Sequence, residues 1–360
     1  MLIAPHPDDE ALTCSIILQH AVGAGAAIRV VYATDGDDNP WPQRVLERKW
    51  RLGAADRKRW GKLRHAEALA ALHILGVHGS DARFLALPDQ GLTGLLTTDC
   101  RLILERFETS IRRWSPTHLL VPSIHDTHPD HNALAVMLRL VLANLYPDES
   151  PISLWAYAVH GKSKVFFHRA TELRQSKTER AIKEQAICCH KTQLKLSGRR
   201  FLAYATRPER FLKLRVREST LVDGPIRGIS RHAQVLRVKL LLSTKPMATA
   251  PPKLFVLGHD VAGSIRCVRM QVPVHSSTAE LLDCHTGERL DLARYRGNVF
   301  AGEFAIPVDI FSPAHALFVK LERRSWFFDE AGWLETPPTV AETTLTRMAR
   351  TRSMEAELLS

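Results

Sequence analysis

The chain has 360 residues, a net charge of +11 at pH 7 and 45% apolar residues. That length supports two domains with buried cores, and no segment approaches 18 uninterrupted apolar residues, so no membrane span is expected. The six cysteines include no Cys-x-x-Cys pair, so free thiols are expected rather than a disulfide framework.

In chain order, residues 2–4 read as a short buried strand with no basic leader ahead of it, so no secretory signal is expected and the protein reads as cytoplasmic. The turn His6-Pro7-Asp8-Asp9-Glu10 follows, then an apolar helix over 11–22. Residues 27–33 form a second strand, closed by the turn-rich Thr34-Asp35-Gly36-Asp37-Asp38-Asn39-Pro40. A helix over 63–75 ends at Gly76 in a C-cap position. A strand at 82–86, an amphipathic helix over 102–114 and a buried strand at 118–121 come next. His128-Pro129-Asp130-His131 lies just past that strand, and 132–145 is again helical.

Strands alternating with helices predict an α/β, doubly wound, mainly parallel sheet with helices on both faces. No Gly-x-Gly-x-x-Gly follows the first strand, which argues against a dinucleotide site. From residue 219 the pattern changes to short strands at 235–242, 254–257, 265–274, 299–306 and 316–321, separated by Pro- and Gly-containing turns. These predict a smaller β-rich, sandwich-like domain over 219–335, with 336–360 as a tail.

Each acidic histidine motif follows a buried strand, where open α/β sheets place their sites. A catalytic zinc takes three protein ligands and keeps one position for water. His6 and Asp9 share one turn and His131 comes from the second loop, giving a His-His-Asp set. Asp8, left beside it, is a candidate general base. Pro7 and Pro129 stiffen the two turns, and Glu10 is expected to serve the helix N-terminus.

On Ala4-Pro5-His6-Pro7-Asp8-Asp9-Glu10 and His128-Pro129-Asp130-His131, the chain resembles the PIG-L/LmbE-like family of metal-dependent N-acetylglucosaminyl de-N-acetylases. Thr34-Asp35-Gly36, Arg64 with Glu67, Leu87-Pro88-Asp89, and Lys183, Ala186, His190 and Gln193 add to the likeness, which covers residues 1–215 and sets 1–218 as the deacetylase domain. The resemblance implies a Rossmann-like fold, with zinc or another divalent ion held by His6, Asp9 and His131. It implies Asp8 as the base, a protonated His128 as acid or oxyanion stabiliser, and Asp130 as the residue that orients His128. Arg64 and Asp89 would contact substrate. Family members usually have a longer first strand than the three or four residues that precede the Ala-Pro-His motif here, a departure from the family pattern at the strand that positions the site.

The implied reaction is hydrolysis of the acetamido group of an N-acetylglucosamine-type sugar, in surface-glycan or lipopolysaccharide synthesis. Other small N-acyl amino-sugar or thiol conjugates, and a sugar-binding protein that has lost catalysis, are the alternatives. Basic residues crowd 44–64 with Trp41, Trp50 and Trp60 among them, and a second basic run spans 195–217. Arginines grip phosphates and aromatic faces stack on sugars, so a phosphorylated or lipid-linked substrate, or peripheral contact with an anionic membrane, is expected. No nucleic-acid module accompanies the charge, and no nucleic-acid partner is expected.

Overall fold

Strand β1 (Leu2–Ala4) is buried along its whole length and pairs with neighbours on both sides. The computed structural model describes residues 1–146, 151–161, 163–214, 224–232, 234–242, 251–325 and 327–339. After β1 come α1 (Asp9–Thr13), α2 (Ser15–Gly23), β2 (Val30–Thr34), α3 (Pro40–Glu47), α4 (Ala54–Ile74) and β3 (Ala82–Leu87). The chain continues through α5 (Leu92–Thr97), α6 (Arg101–Trp114), β4 (His118–Pro122), α7 (Pro129–Leu145) and β5 (Ser153–Tyr157). Then follow α8 (Lys164–Arg169), β6 (Thr171–Leu173), α9 (Lys177–Cys189), α10 (Lys191–Thr206) and β7 (Glu209–Leu214).

These seven strands form one sheet in the order β3-β2-β1-β4-β5-β7-β6. The first five run parallel, while β7 is antiparallel to both β5 and β6. The order reverses between β1 and β4, and the two histidine motifs follow those two strands. Leu2, Ala4, Val30 and Tyr32 share a core with side chains of α1, α2, α4, α9 and α10. The alternate residues Ile3, Val31 and Ala33 are just as buried, so both faces of these strands are covered, as an apolar run without polar alternation requires.

The helix expected over 11–22 is broken at Cys14, whose backbone leaves the helical region. Ser15 Oγ donates to Ala11 O at 2.8 Å. The Glu209 carboxylate accepts from the backbone of Ile16 at 3.0 and 3.1 Å and of Ile17 at 3.3 Å, so a distant residue caps α2. Lys183 Nζ, buried 2.9 Å from Glu209, balances that carboxylate. Helix α4 starts earlier than expected because Asp56 accepts the Gly53 N–H at 2.9 Å. It ends at Gly76 (φ 80), with Gly76 N–H on His73 O and Val77 N–H on Leu72 O, a Schellman closure.

The chain divides into two compact units, one of Met1–Thr93, Thr109–Leu138 and Pro151–Leu214, the other of Gly94–Glu108, Arg139–Ser150 and Arg215–Ser360. The second holds β8 (Ile226–His232), β9 (Val235–Leu241), β10 (Lys253–His259), β11 (Ile265–Gln271), β12 (His275–Asp283), β13 (Arg289–Asn298), β14 (Ala301–Pro307) and β15 (Leu317–Glu322). A ribbon of β16 (Arg324–Ser325) and β17 (Phe328–Asp329) and a last strand β18 (Leu334–Thr336) complete it. One antiparallel sheet runs β18-β15-β10-β11-β12-β13-β14-β9-β8. Its end strands share a single core, with Ile226 and Leu236 in the same cluster as Leu317 and Leu334. A single curled, nearly closed sheet therefore stands where two stacked sheets were expected.

Trp333 is fully buried, 6.5 Å from Phe255, so this aromatic packs the core; Trp326 and residues 340–360 of the expected tail lie outside the described residues. All six cysteines are free, with Cys267 Sγ and Cys284 Sγ 3.6 Å apart. Among the described residues no helix is long and apolar enough to cross a membrane.

Candidate active site

The first motif leaves β1 at Pro5, whose carbonyl accepts from both the backbone N–H (3.0 Å) and Oγ1 (2.9 Å) of Thr34 at the end of β2. Two residues after His6, Asp8 adopts φ 136, a conformation that side-chain-bearing residues rarely take. Glu10 helps hold it there: Oε2 accepts the Asp8 N–H at 2.9 Å, and Oε1 lies 2.8 Å from His190 Nε2. Glu10 thus serves the start of α1, as expected, and also ties the turn to a buried histidine that follows α9. A non-glycine residue held this way points to a position fixed by function.

His6, Asp9 and His131 converge. His6 Nδ1 is 3.2 Å from His131 Nε2, and Asp9 lies 3.9 Å from His6 Nδ1 and 3.5 Å from His131 Nε2. All three are buried. His128 is half-buried, and one ring nitrogen from each of His6, His128 and His131 lies within 4.8 Å of the others. The opposite edge of the His6 ring meets carboxylates, with Nε2 at 3.1 Å from Asp89 and 3.2 Å from Asp130. Asp89 is itself fixed by the Asp38 N–H at 2.7 Å, and Asp130 by the N–H groups of Gln90 (2.7 Å) and Leu92 (3.1 Å). On the other ring, His131 Nδ1 lies 3.2 Å from Asp126.

The electrostatics follow from this crowding. Burial opposes a charge on His6, yet hydrogen bonds to Asp130 and Asp89 hold its pKa well above the ordinary value. Burial likewise works against His131, but Asp9 and Asp126 raise it. Burial pushes Asp9 up to about 6 and raises Asp8 as well, with Arg64 opposing the rise at Asp8. Burial would raise Asp126 too, but His131 holds it down at about 2. His128 falls well below its ordinary pKa, chiefly through burial and then through the charges of His6 and His131. The His128 Nδ1 accepts the Asp130 N–H at 3.2 Å, so the neutral ring carries its proton on Nε2.

Three expected side chains turn elsewhere. Arg64, expected against substrate, is buried and points inward: Nη2 meets Asp8 at 2.7 Å and the Pro7 carbonyl, and Nη1 donates to Gly36 O at 2.8 Å. Asp89, also expected against substrate, braces His6. Asp130 directs its carboxylate at His6, not His128, and reaches His128 through its backbone N–H. The basic stretch also differs from the expectation: Lys49 and Arg59 pair with Asp56, Arg59 with Glu47 as well, Arg57 with Asp38, and Trp60 is buried in the core. Trp41 and Trp50 are exposed by 42% and 78%.

Gly36 has φ 62, and a Cβ there would sit 2.0 Å from Arg64 Nη1. Gly36→Ala is expected to displace the guanidinium from Asp8 and to cost about 1–3 kcal/mol, read as a lower urea midpoint.

Two further residues bear on the site, Asp126 just before the second motif and His160 outside both. Asp126 accepts the backbone N–H groups of His128 (2.9 Å), Val159 (2.8 Å) and His160 (3.0 Å) while facing His131. His160 brings its ring centroid to 5.4 Å from that of His128 and 5.1 Å from that of His131. The dense protein around it pushes His160 down to about 3. Its only sequence signal is position, just past the end of a strand.

Residues 1–142 match the family model described as PIG-L, GlcNAc-PI de-N-acetylase. The chain is similar to the 1D-myo-inositol 2-acetamido-2-deoxy-alpha-D-glucopyranoside deacetylase of Mycobacterium avium (strain 104), at 30% identity over 145 residues. That match takes in 36% of this chain and 47% of the relative, so the chain spans about half the length of the curated relative it matches. Solved structures with similarity include the conserved protein TT1542 from Thermus thermophilus, at 22% identity and TM-score 0.44, over 59% of this chain and 92% of that one. Another is the N,N'-diacetylchitobiose deacetylase from Pyrococcus horikoshii, at 17% identity and TM-score 0.44, over 59% of this chain and 82% of that one. A deacetylase of the teicoplanin biosynthetic pathway matches at 18% identity and TM-score 0.45, over 59% and 97%. The match to the PIG-L family is thus carried by residues 1–142, with both histidine motifs inside it.

Proposed function

We propose that this protein is a divalent-metal-dependent de-N-acetylase that hydrolyses the acetamido group of an N-acetylglucosamine-type sugar. The observation that carries this reading is the convergence of His6, Asp9 and His131 beside Asp8, past the ends of β1 and β4. Their 3.2–3.9 Å separations suit a shared ion, since tetrahedral bonds of 2.0–2.1 Å set ligands about 3.3 Å apart. The chemistry of the set agrees: two imidazole nitrogens face each other at 3.2 Å beside the buried Asp9 carboxylate. Asp89, Asp130 and Asp126 stand where partners of ligating imidazoles stand, on the far ring nitrogens. Zinc is the ion we favour; bound there it would polarise the acetyl carbonyl and acidify a water.

The chain's own residues then divide the work. Asp8, raised by burial and gripped by Arg64, takes a proton from the water as its oxygen adds to the carbonyl carbon. His128 donates from Nε2 to the carbonyl oxygen as that oxygen gains charge. Cleavage of the C–N bond returns the proton from Asp8 to the leaving amine, giving acetate and a free amino sugar. The Mycobacterium relative, named for removing acetyl from a 2-acetamido-2-deoxy-glucopyranoside, supports the substrate class.

The strand order β3-β2-β1-β4-β5, all parallel and buried on both faces, supports a Rossmann-like doubly wound domain with its crevice at the β1/β4 reversal. We take this deacetylase domain as 1–218 and the β-rich part as 219–335. Six free thiols suit a reducing, cytoplasmic setting. Exposed Trp41 and Trp50 among Arg48, Lys49 and Arg51 suit contact with an anionic membrane. A net charge of +11 suits phosphate-rich acceptors of surface-glycan or lipopolysaccharide synthesis.

Acetate release from N-acetylglucosamine, its 1-phosphate, its nucleoside-diphosphate form and a lipid-linked form tests the reaction. Release is expected to vanish with chelator and return with zinc. Release that ignores chelator, or no release from any member by zinc-loaded protein, would overturn the proposal.

A further inference from the structure

The second basic run, 195–217, places one arginine beside the proposed centre. Arg200, on α10, is exposed, and its Nη2 lies 3.1 Å from His160 Nδ1. His160 in turn stands against His128 and His131. A guanidinium in solvent reach thus rests on a ring that touches the ring proposed to polarise the acetamido group.

The backbone that carries His160 is tied at several points. The backbone N–H groups of Val159 and His160 both donate to Asp126, whose other oxygen fixes the His128 N–H. Tyr204, one turn after Arg200 on α10, donates its hydroxyl to Val159 O at 2.6 Å. Gly161 has φ 96, and a Cβ there would come 2.9 Å from Thr127 Cγ2, so the chain turns there in close contact with the loop that carries His128. These contacts together set His160 and the helix bearing Arg200 relative to the proposed reaction centre. Such support is what a recognition group needs, because precise placement reduces the ordering lost on binding.

We propose that Arg200 and His160 form an anion-reading subsite beside the acetamido-cleaving centre, and that the amino-sugar substrate carries a phosphate within its reach. The assignment rests on the de-N-acetylase reading of the same site. Its chemistry is a planar fork of N–H donors suited to phosphate oxygens. The imidazole, with Nδ1 turned to the guanidinium, adds an Nε2–H donor when neutral. The phosphate has two chemical sources, a sugar 1-phosphate or a nucleoside diphosphate sugar.

Calorimetric binding to the zinc-loaded full chain tests the subsite with three probes: N-acetylglucosamine, N-acetylglucosamine 1-phosphate and its uridine diphosphate form. The phosphorylated probes are expected to bind roughly tenfold or more tightly than the neutral sugar. Arg200→Ala should erase most of that ratio, Arg200→Lys should restore part of it, and His160→Gln should reduce it. The tighter phosphorylated probe identifies the source. An unchanged ratio in Arg200→Ala, or no preference for phosphate in the unmodified protein, overturns the subsite. An Arg200-dependent preference without acetate release from any probe would instead sink the de-N-acetylase reading and leave the subsite standing. Acetate release indifferent to phosphate does the reverse.

Discussion

Asp8→Asn is expected to lower kcat for acetate release by about 10²–10⁴-fold, the range for loss of a positioned general base. Asparagine keeps the shape of the side chain and an oxygen for Arg64, so the turn and the guanidinium contact survive while proton transfer does not. Metal content should stay at the unmodified level, since His6, Asp9 and His131 are untouched. The choice of asparagine matters. Asp8→Ala would strand the buried Arg64 without its carboxylate, and breaking a buried pair costs about 3–5 kcal/mol, which would confuse loss of chemistry with loss of fold. An Asn variant that keeps full activity would remove Asp8 from the reaction. A variant whose sugar binding is intact and whose parent releases no acetate would favour the alternative of a sugar-binding protein.

His131→Ala is expected to abolish both zinc retention and acetate release, with zinc falling from about one equivalent to none after dialysis. The side chain contributes the nitrogen that faces His6 at 3.2 Å and sits 3.5 Å from Asp9, so its removal opens one corner of the ligand set. Asp126→Asn provides the graded control. It leaves all three ligands in place but removes the charge that faces His131 Nδ1 and weakens the acceptor of the His128, Val159 and His160 N–H groups, so zinc affinity should fall by roughly 10–100-fold. Metal analysis separates these outcomes without any assay of turnover. Full zinc occupancy in His131→Ala would place the ion elsewhere, and the carboxylate-rich edge of His6 with Asp89 and Asp130 is where to look next.

The convergence of His6, Asp9 and His131 was legible because each motif is local: the residues sit within a few positions after a buried strand, and strand ends share one edge of a parallel sheet. Contacts between distant segments were not legible. Arg64 could be matched to a family position, but nothing in its neighbourhood announces that it folds inward onto Asp8 and the Gly36 carbonyl. Asp130 lies two residues from His128, yet an α-helix starts at Pro129 and turns the carboxylate toward His6 instead. His160 is a single histidine after a strand, with no spaced partner to flag it. In the second unit, β12 and β13 went unread because their inward positions are few: Ala279 and Leu281 in one, Ala293 and Tyr295 in the other, among exposed polar residues. The expectation of a sandwich came from strand spacing, which cannot distinguish two sheets from one that curls.

That curled sheet is not uniformly joined. Strands β10 and β11 align over seven residue pairs, and β9 and β14 over seven, but β11 and β12 align over only Val268 with Asp283 and Arg269 with Leu282. The nine strands are thus a four-stranded half, β18-β15-β10-β11, and a five-stranded half, β12-β13-β14-β9-β8, meeting at a narrow seam that Cys267 and Cys284 flank from opposite sides. Amide protons at the seam should exchange with solvent before those of the β10–β11 and β9–β14 ladders, since opening it breaks fewer backbone bonds. The β10–β11 and β12–β13 hairpins are expected to protect their amides before the seam in a refolding exchange experiment, because the short seam ladder repays little of its loop-closure entropy.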